Sequence, residues 1–166
     1  MLLLVFRKRG FVFMDKRLFR DAMGKFATGI TVVTADHQND IKGITVNAFM
    51  SVSLDPTLVA ISIDQKAAMY TTLQEVDTFG ISVLAEDQQE QSMIFANQKT
   101  AEKPVNFEKI SETPVLNGAL VQLACEKESF VQAGDHMIFI AKVKEIKLTE
   151  GQPLVYFNGA YKHLDK

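Results

Sequence analysis

The segment GITVNAFMSVSLDP (43–56) carries the residues whose types and spacing first suggest a binding role. Side chains alternate across a strand, so this segment is predicted to have an aliphatic core face and an opposite polar face. The aliphatic face comprises Ile44, Val46, Ala48, Met50 and Val52, and the polar face comprises Thr45, Asn47, Phe49, Ser51 and Ser53. An ordinary solvent face would carry Lys, Glu or Arg, but no residue from Gly43 to Leu54 is charged.

This uncharged polar face has two interpretations. It could be a second packing surface, such as a subunit interface, in which the hydroxyl groups bond to backbone. It could instead hold a ligand along the strand, with hydroxyl and amide groups donating to the ligand and Phe49 in contact with it. Small-molecule sites of this kind are mostly apolar with a few placed polar groups.

The triplet Gly134-Asp135-His136 is the second candidate, because it lies between two strand patterns. Gly and Asp are common in hairpin turns, so one interpretation is a turn in which the histidine is incidental. A histidine at the rim of a barrel could instead contact a phosphate or a carboxamide. Neither His37 nor His163 is assigned a role, and Cys125, in an apolar strand, is expected to be a buried small hydrophobe.

Composition and missing motifs exclude several classes. The 166-residue chain has a net charge of −2, which argues against nucleic-acid or anionic-membrane binding by bulk electrostatics. There is no GxGxxG after a strand, no P-loop and no GxSxG elbow. There is also no CxxC or HExxH, so a zinc site is not expected. A single cysteine permits no intrachain disulfide and suits a reducing cytoplasm.

The elements that must position these residues are mostly short strands. The pattern predicts helices from Asp15 to a glycine stop at Gly29, over 66–76 and over 87–97, and a long loop over 98–114. Predicted strands cover 30–35, 43–54, 57–63, 79–85, 119–125, 130–133, 137–148 and 153–157. Hairpin-like connections favour a mainly β (α+β) fold, an antiparallel barrel with flanking helices, over a parallel doubly wound sheet.

One domain is predicted over residues 14–166. The stretch MLLLVFRKRGFVF (1–13) has an apolar run too short for a membrane span, and its basic residues lie on the wrong side for a signal peptide. The helical pattern starts only after Met14, which favours Met14 as the natural start and residues 1–13 as an N-terminal extension.

An ordered set of segments resembles a known family. The segments are FATGITVVT (26–34), GITVNAFMSVSLDP (43–56), a strand ending in Asp64, AGDHMIFIAKV (133–143) and GQPLVYFNGAY (151–161). Together they resemble the flavin reductase-like family, whose members fold as FMN-binding split barrels. The chain is most similar to the small reductase components of two-component flavin-dependent monooxygenases, which usually form homodimers.

The resemblance implies a flavin site and a role for each residue in it. Thr31 and Val32 would border the flavin ring, and Thr45, Val46, Asn47 and Ala48 would lie along the ring and its ribityl chain. Phe49, from the polar face of the same segment, is expected to contact the ligand. Ser51, Val52 and Ser53 would lie near the phosphate, with further contacts from Asp64, Gln65, Lys66 and Ala67 at a helix start. Phe95 and Ala96 would line the edge of the flavin, and Phe107 would close over it. His136 would orient the nicotinamide cofactor.

The implied activity is hydride transfer from NADH or NADPH to FMN or FAD, with reduced flavin passing to a partner oxygenase. Relatives often have a hydroxyl residue and a nearby Arg where this chain has Ala67 and Ala68, which leaves the choice between FMN and FAD open. No basic pocket for a 2′-phosphate is visible, which favours NADH. Two alternatives remain: a flavin-binding protein without reductase activity, and a flavin-dependent oxidase of another small molecule.

Overall fold

The computed structural model describes residues 14–164, and the predicted extension 1–13 lies outside the described residues. The helices are α1 (Lys16–Met23), α2 (Ala68–Glu75) and α3 (Gln89–Phe95), with a 3₁₀ turn at Glu86–Gln88. The strands are β1 (Thr28–Gly29), β2 (Thr31–His37), β3 (Asp40–Val46), β4 (Phe49–Leu54), β5 (Thr57–Asp64), β6 (Thr78–Val83), β7 (Phe107–Ile110), β8 (Thr113–Leu116), β9 (Val121–Ala133), β10 (His136–Leu148), β11 (Val155–Phe157) and β12 (Ala160–Lys162). No helix in this part of the chain is long and apolar enough to cross a bilayer.

One seven-stranded antiparallel sheet dominates the fold, in the order β3-β2-β6-β9-β10-β5-β4. Its two edge strands, β3 and β4, are consecutive in the chain and are joined only by Asn47 and Ala48. A two-residue link spans no more than about 10 Å, so the sheet must curl until its edges meet at that end. The Ser62 N–H donates to the Ala48 carbonyl (3.1 Å), which continues the β4–β5 register by one residue into the link after β3. The predicted antiparallel barrel is confirmed as a sheet curled to a seam at Asn47-Ala48.

The interior of the curled sheet is an aliphatic and aromatic core. Alternate residues of β2, β5, β6 and β10 fill it, and Phe79, Phe139, Ile61 and Leu73 of α2 have 0 to 1% of their surface exposed. A second cluster on the outer face of β2 contains Ile30, Val32, Leu84, Leu116 and Leu154. Strand β2 is therefore buried on both faces.

The predicted continuous strand over 43–54 is wrong, because the chain breaks at the seam. Val46 and Phe49 both pack in the interior core, although residues three apart cannot share one face of a continuous strand. The alternation therefore reverses after Asn47-Ala48. As a result Met50 and Val52, assigned to the core by the pattern, are 59% and 43% exposed.

Two other elements differ from the pattern. The first helix ends at Met23 with Gly24 as its C-cap, well before Gly29, and Phe26 lies beyond it. The predicted loop over 98–114 contains strand β7 and the start of β8, which form an antiparallel hairpin on the outside of the main sheet. The stretches 119–125 and 130–133, predicted as separate strands, belong to one long strand, β9.

Candidate functional site

The seam at Asn47-Ala48 is the centre of the candidate site. Asn47 is exposed and makes no side-chain hydrogen bond to any residue from 14 to 164, so its amide is available to a ligand. It lines a groove of about 410 Å³, a volume within the usual range for small-molecule sites. The other walls come from α1 and the residues just after it, and from β11 and the turn that follows it: Phe19, Arg20, Asp21, Met23, Gly24, Phe26, Tyr156, Asn158 and Gly159.

Helix α3 packs beside the end of β3, outside the residues that line the groove. The Thr45 hydroxyl donates to the Ser92 carbonyl (2.7 Å), which ties the strand to the helix. Phe95 packs directly on Gly43, where an added Cβ would lie 2.7 Å from the ring. The ring of Phe95 also meets that of Phe107 edge to face, with centroids 6.1 Å apart. Thr45, Phe95 and Phe107, all expected at the site, are thus brought together around α3. Ala96, also expected there, is the C-cap of this helix.

The turn Asp64–Ala67 leads from β5 into α2. The Asp64 carboxylate accepts the Lys66 N–H (2.8 Å), which fixes the turn. Ala67, the N-cap of α2, has extended backbone and no side-chain hydrogen bond to the helix. The first N–H groups of α2 therefore lack a side-chain acceptor, and a helix N-terminus in that condition favours an anion. This arrangement fits a phosphate group, and Gln65 and Lys66 flank it.

His136 begins β10 directly opposite Asp64 of β5. Its Nδ1 lies 2.8 Å from the Asp135 carboxylate. A carboxylate only accepts hydrogen bonds, so Nδ1 is the donor and Nε2 is left for a ligand. The hydrogen bond from His136 holds the pKa of the Asp135 carboxyl below its usual range, and the charge of Lys16 at the start of α1 adds to that shift.

The strand register places His136 near the seam. Ala48 bonds to Ser62, and Ser62 lies opposite Ile138, two residues from His136. At about 4.8 Å between strands and 3.3 Å per residue, the backbones of Ala48 and His136 are about 12 Å apart. Asn47, His136 and the start of α2 therefore share one end of the barrel.

The polar residues of β4 lie away from that end. Ser51 is opposite Val59 and Ser53 is opposite Leu58, whereas Asp64 ends the same strand β5. Five residues of strand separate Val59 from Asp64, a distance of about 17 Å. One phosphate cannot contact both Ser51–Ser53 and the Asp64–Ala67 turn, so that expectation is wrong.

Three of the predicted contact residues lie beneath the surface. Thr31 and Val32 are 3% and 0% exposed, and the Thr31 hydroxyl donates to the Val46 carbonyl (2.6 Å). Val46 itself points into the core. These residues support the site but cannot touch a ligand with their side chains.

Arg20, Tyr156 and Asn158 of the groove were missed as site residues. Two of them, Tyr156 and Asn158, lie in the segment GQPLVYFNGAY, to which the family resemblance assigns no binding role. The N–H of Asn158 donates to the Gly24 carbonyl (2.7 Å), a contact between chain ends that no local pattern reports.

The described residues offer no group of three metal-binding side chains and no activated thiol. Cys125 is buried, and that burial raises the pKa of its thiol to about 12. Chemistry at this site is therefore better suited to bound reactants than to a protein nucleophile.

Comparisons with known proteins agree on one family. The model of the flavin reductase like domain matches residues 23–165. An NADH-dependent flavin reductase from a Rhodococcus species is 41% identical over 88% of this chain and 85% of its own length. The reductase component of 4-hydroxyphenylacetate 3-monooxygenase from Thermus thermophilus is 37% identical over 90% of this chain and 97% of its own. The structure of flavin reductase PheA2 in its native state superposes with a TM-score of 0.90 at 47% identity, covering 92% of this chain and all of that one.

Proposed function

Because the chain belongs to the flavin reductase like domain family, we propose that it is an NADH-dependent flavin reductase. It transfers hydride from NADH to FMN or FAD and supplies reduced flavin to a partner monooxygenase. The named relatives support both halves of this proposal, one as an NADH-dependent flavin reductase and one as a monooxygenase reductase component.

The observation that carries the proposal is the placement of three groups at the seam end of the barrel. A groove with a free amide at Asn47, an uncapped helix N-terminus and a histidine with a free Nε2 lie toward the same end of the barrel. A bound flavin supplies the ring that accepts hydride, so the protein needs to provide position and electrostatics only. A site of this kind needs no protein nucleophile, in agreement with the lack of an activated thiol among the described residues.

Each group has a separate role in this proposal. Asn47 would donate a hydrogen bond to the polar edge of a bound flavin and so favour negative charge there. The N–H groups at the start of α2 bind the flavin phosphate. His136 Nε2 orients the nicotinamide, and Phe95 with Phe107 shields one edge of the ring from water. Close alignment of the two rings contributes a large effective molarity.

The direct test is oxidation of NADH or NADPH by the purified protein with FMN, FAD or riboflavin added, followed by the loss of reduced-nicotinamide absorbance. We expect turnover that saturates with flavin and favours NADH. Tight flavin binding without turnover would instead show a flavin-binding protein or an oxidase of another small molecule.

His136→Ala is expected to raise the KM for NADH about tenfold while kcat and the KM for flavin change little, because one orienting hydrogen bond is lost. Steady-state kinetics with each substrate varied in turn measure this. His163→Ala is the matched control, since His163 is exposed and lies near the C-terminal end of the chain. An unchanged KM for NADH in His136→Ala removes the proposed role.

Asn47→Ala is expected to weaken flavin binding about tenfold and to leave the KM for NADH unchanged, because a hydrogen bond to the ring edge is lost. Titration of flavin-free protein with FMN, followed by flavin fluorescence, measures the Kd. Gln152→Ala removes an exposed amide elsewhere and serves as control. Equal Kd values for the two variants would contradict the assignment.

A homodimer is part of the proposal. On the outer face of β4, β5, β10 and β9 two rows of residues carry no charge: Ala48, Ser62, Ile138 and Val131, and Met50, Ala60, Ile140 and Ser129. Helix α1 exposes Leu18, Phe19 and Met23 and buries no residue. Apolar surfaces of this kind are typical of protein interfaces, and a second copy is the occupant we propose. The cytoplasm is the proposed location, as the composition suggested.

A further inference from the structure

The β7–β8 hairpin rests on a platform of small and polar side chains on the outer face of the main sheet. Two rows cross β2, β6 and β9, the first formed by Thr34, Gly80 and Ala124 and the second by Val32, Ser82 and Gln122. All six residues are buried. Strand β8 lies on these rows, and the Thr34 hydroxyl donates to the Pro114 carbonyl (2.5 Å).

Leu116, the last residue of β8, is held by two buried side chains. Its N–H donates to Ser82 Oγ (2.9 Å), and its carbonyl accepts from Gln122 Nε2 (2.6 Å). Both backbone groups of Leu116 therefore bond to side chains of the main sheet. The position of Leu116 is fixed by Ser82 and Gln122 more than by its partner strand.

Phe107 is directly opposite Leu116 in the hairpin. The neighbouring pair is bonded, since the Asn117 N–H donates to the Asn106 carbonyl (3.1 Å). Phe107 and Leu116 therefore form a non-hydrogen-bonded pair, in which the side chains approach most closely. Leu116 thus sets the position of Phe107, whose ring packs edge to face on Phe95, the residue that the proposed function puts beside the flavin.

Burial of the Gln122 side chain costs free energy, because one of its polar atoms has no hydrogen-bond partner. Gln122 is 1% exposed, and its Oε1 has no hydrogen-bond partner among the described residues. Its Nε2 also donates to Glu108 (2.6 Å), which accepts from Lys147 (2.5 Å). These bonds, from Gln122 first and Lys147 second, hold the pKa of the Glu108 carboxyl below its usual range. An apolar residue of similar volume would avoid the unpaired oxygen, so the amide contributes orientation.

We propose that Ser82 and Gln122 are positioning residues for flavin binding: by fixing Leu116, they hold Phe107 against Phe95 at the edge of the site. Neither residue touches the ligand, because Ser82 is 0% and Gln122 1% exposed. The inference rests on the proposed function for the identity of the ligand as a flavin.

The test uses Ser82→Ala, Gln122→Met and Phe107→Leu, with Ser111→Ala as matched control. Ser111 also bonds the hairpin to the main sheet, through Glu145 (2.5 Å), but at the turn, away from Phe107. The measurements are the FMN Kd of flavin-free protein by fluorescence titration, the thermal midpoint, and the KM for NADH. We expect the Kd to rise about five- to tenfold in the Ser82 and Gln122 variants, with the KM for NADH unchanged, and no rise in Ser111→Ala.

A double variant tests whether Ser82 acts through Phe107. If it does, Ser82→Ala adds little to the Kd of Phe107→Leu, because the positioned ring is already gone. Three outcomes would each overturn the proposal. They are additive effects of Ser82→Ala and Phe107→Leu on the Kd for FMN, a Kd within about twofold of wild type in folded Ser82→Ala, and an equal rise of the Kd in Ser111→Ala. If Gln122→Met does not fold, the Ser82 arm decides alone. A wild type that binds FMN but does not oxidise NADH refutes the proposed function and leaves this test intact.

Discussion

Gly80→Ala is expected to lower the free energy of unfolding by about 3 kcal/mol, which in a chain of this size lowers Tm by about 6–12 °C. A Cβ at this position would lie 2.2 Å from the Pro114 carbonyl oxygen and 2.8 Å from Val115 Cγ1. The oxygen belongs to backbone, so no rotamer change relieves the overlap and the hairpin must move off the sheet. Displacement of the β7–β8 hairpin from the main sheet is also expected to weaken flavin binding, because Phe107 lies on this hairpin.

The control for this substitution is Gly29→Ala. An added Cβ at Gly29 meets no atom within 4 Å, so that variant is expected to keep its Tm or gain slightly from reduced backbone freedom in the unfolded chain. Thermal unfolding of both variants at equal protein concentration makes the comparison. Equal midpoints would show that the hairpin does not press on the sheet at Gly80.

Met50→Glu is expected to convert the proposed homodimer to a monomer. Met50 is 59% exposed in the single chain and lies on the edge strand β4, at one end of an uncharged row of the outer face and opposite Ala60. Burial of an unpaired carboxylate in an interface costs several kcal/mol, enough to dissociate a dimer at micromolar concentration. Light scattering during gel filtration should give the mass of one 18.5 kDa chain in place of twice that value.

Thr100→Glu is the matched control, because it adds the same charge at an exposed position outside this face. It should leave the mass of the assembly unchanged. A dimer that survives Met50→Glu would place the interface elsewhere, with the exposed face of α1 as the next surface to test.

The sequence predicted the fold where local patterns coincide with the final contacts. The β-branched run of β2, the turn before β3 and the break at Asp55-Pro56 all indicated antiparallel hairpins, and these were confirmed. The break at Asn47-Ala48 escaped the pattern, because it arises where two sheet edges meet and neither residue type forces it. Strand β7 was also not predicted. The charges of Glu108 and Lys109 make this segment look like a loop, although Glu108 accepts a hydrogen bond from Gln122 of β9.

The candidate site was predictable to a similar extent. Asn47, His136 and the start of α2 were named from the sequence, and the structure brings them to one end. A common phosphate site for Ser51–Ser53 and Asp64–Ala67 does not form. Ser51 pairs with Val59, five residues from Asp64 along β5, and the sequence alone does not give this register. Ser82, Gln122 and Gly80 could not be found, because each acts through the hairpin.

The seam also bears on hydrogen exchange and product release. The bond from the Ser62 N–H to the Ala48 carbonyl is the last bond of the β4–β5 ladder before the short link at which the two edges of the curled sheet come together. Local opening starts where few bonds must break, so amides at this junction exchange with solvent before those of the central strands. If flavin binds across this junction as proposed, it would raise the free energy of that opening by RT ln(1 + L/Kd), where L is the free flavin concentration. Flavin occupancy and local opening of this end of the sheet would then be one linked equilibrium, and hydrogen exchange at the junction should slow when FMN is added.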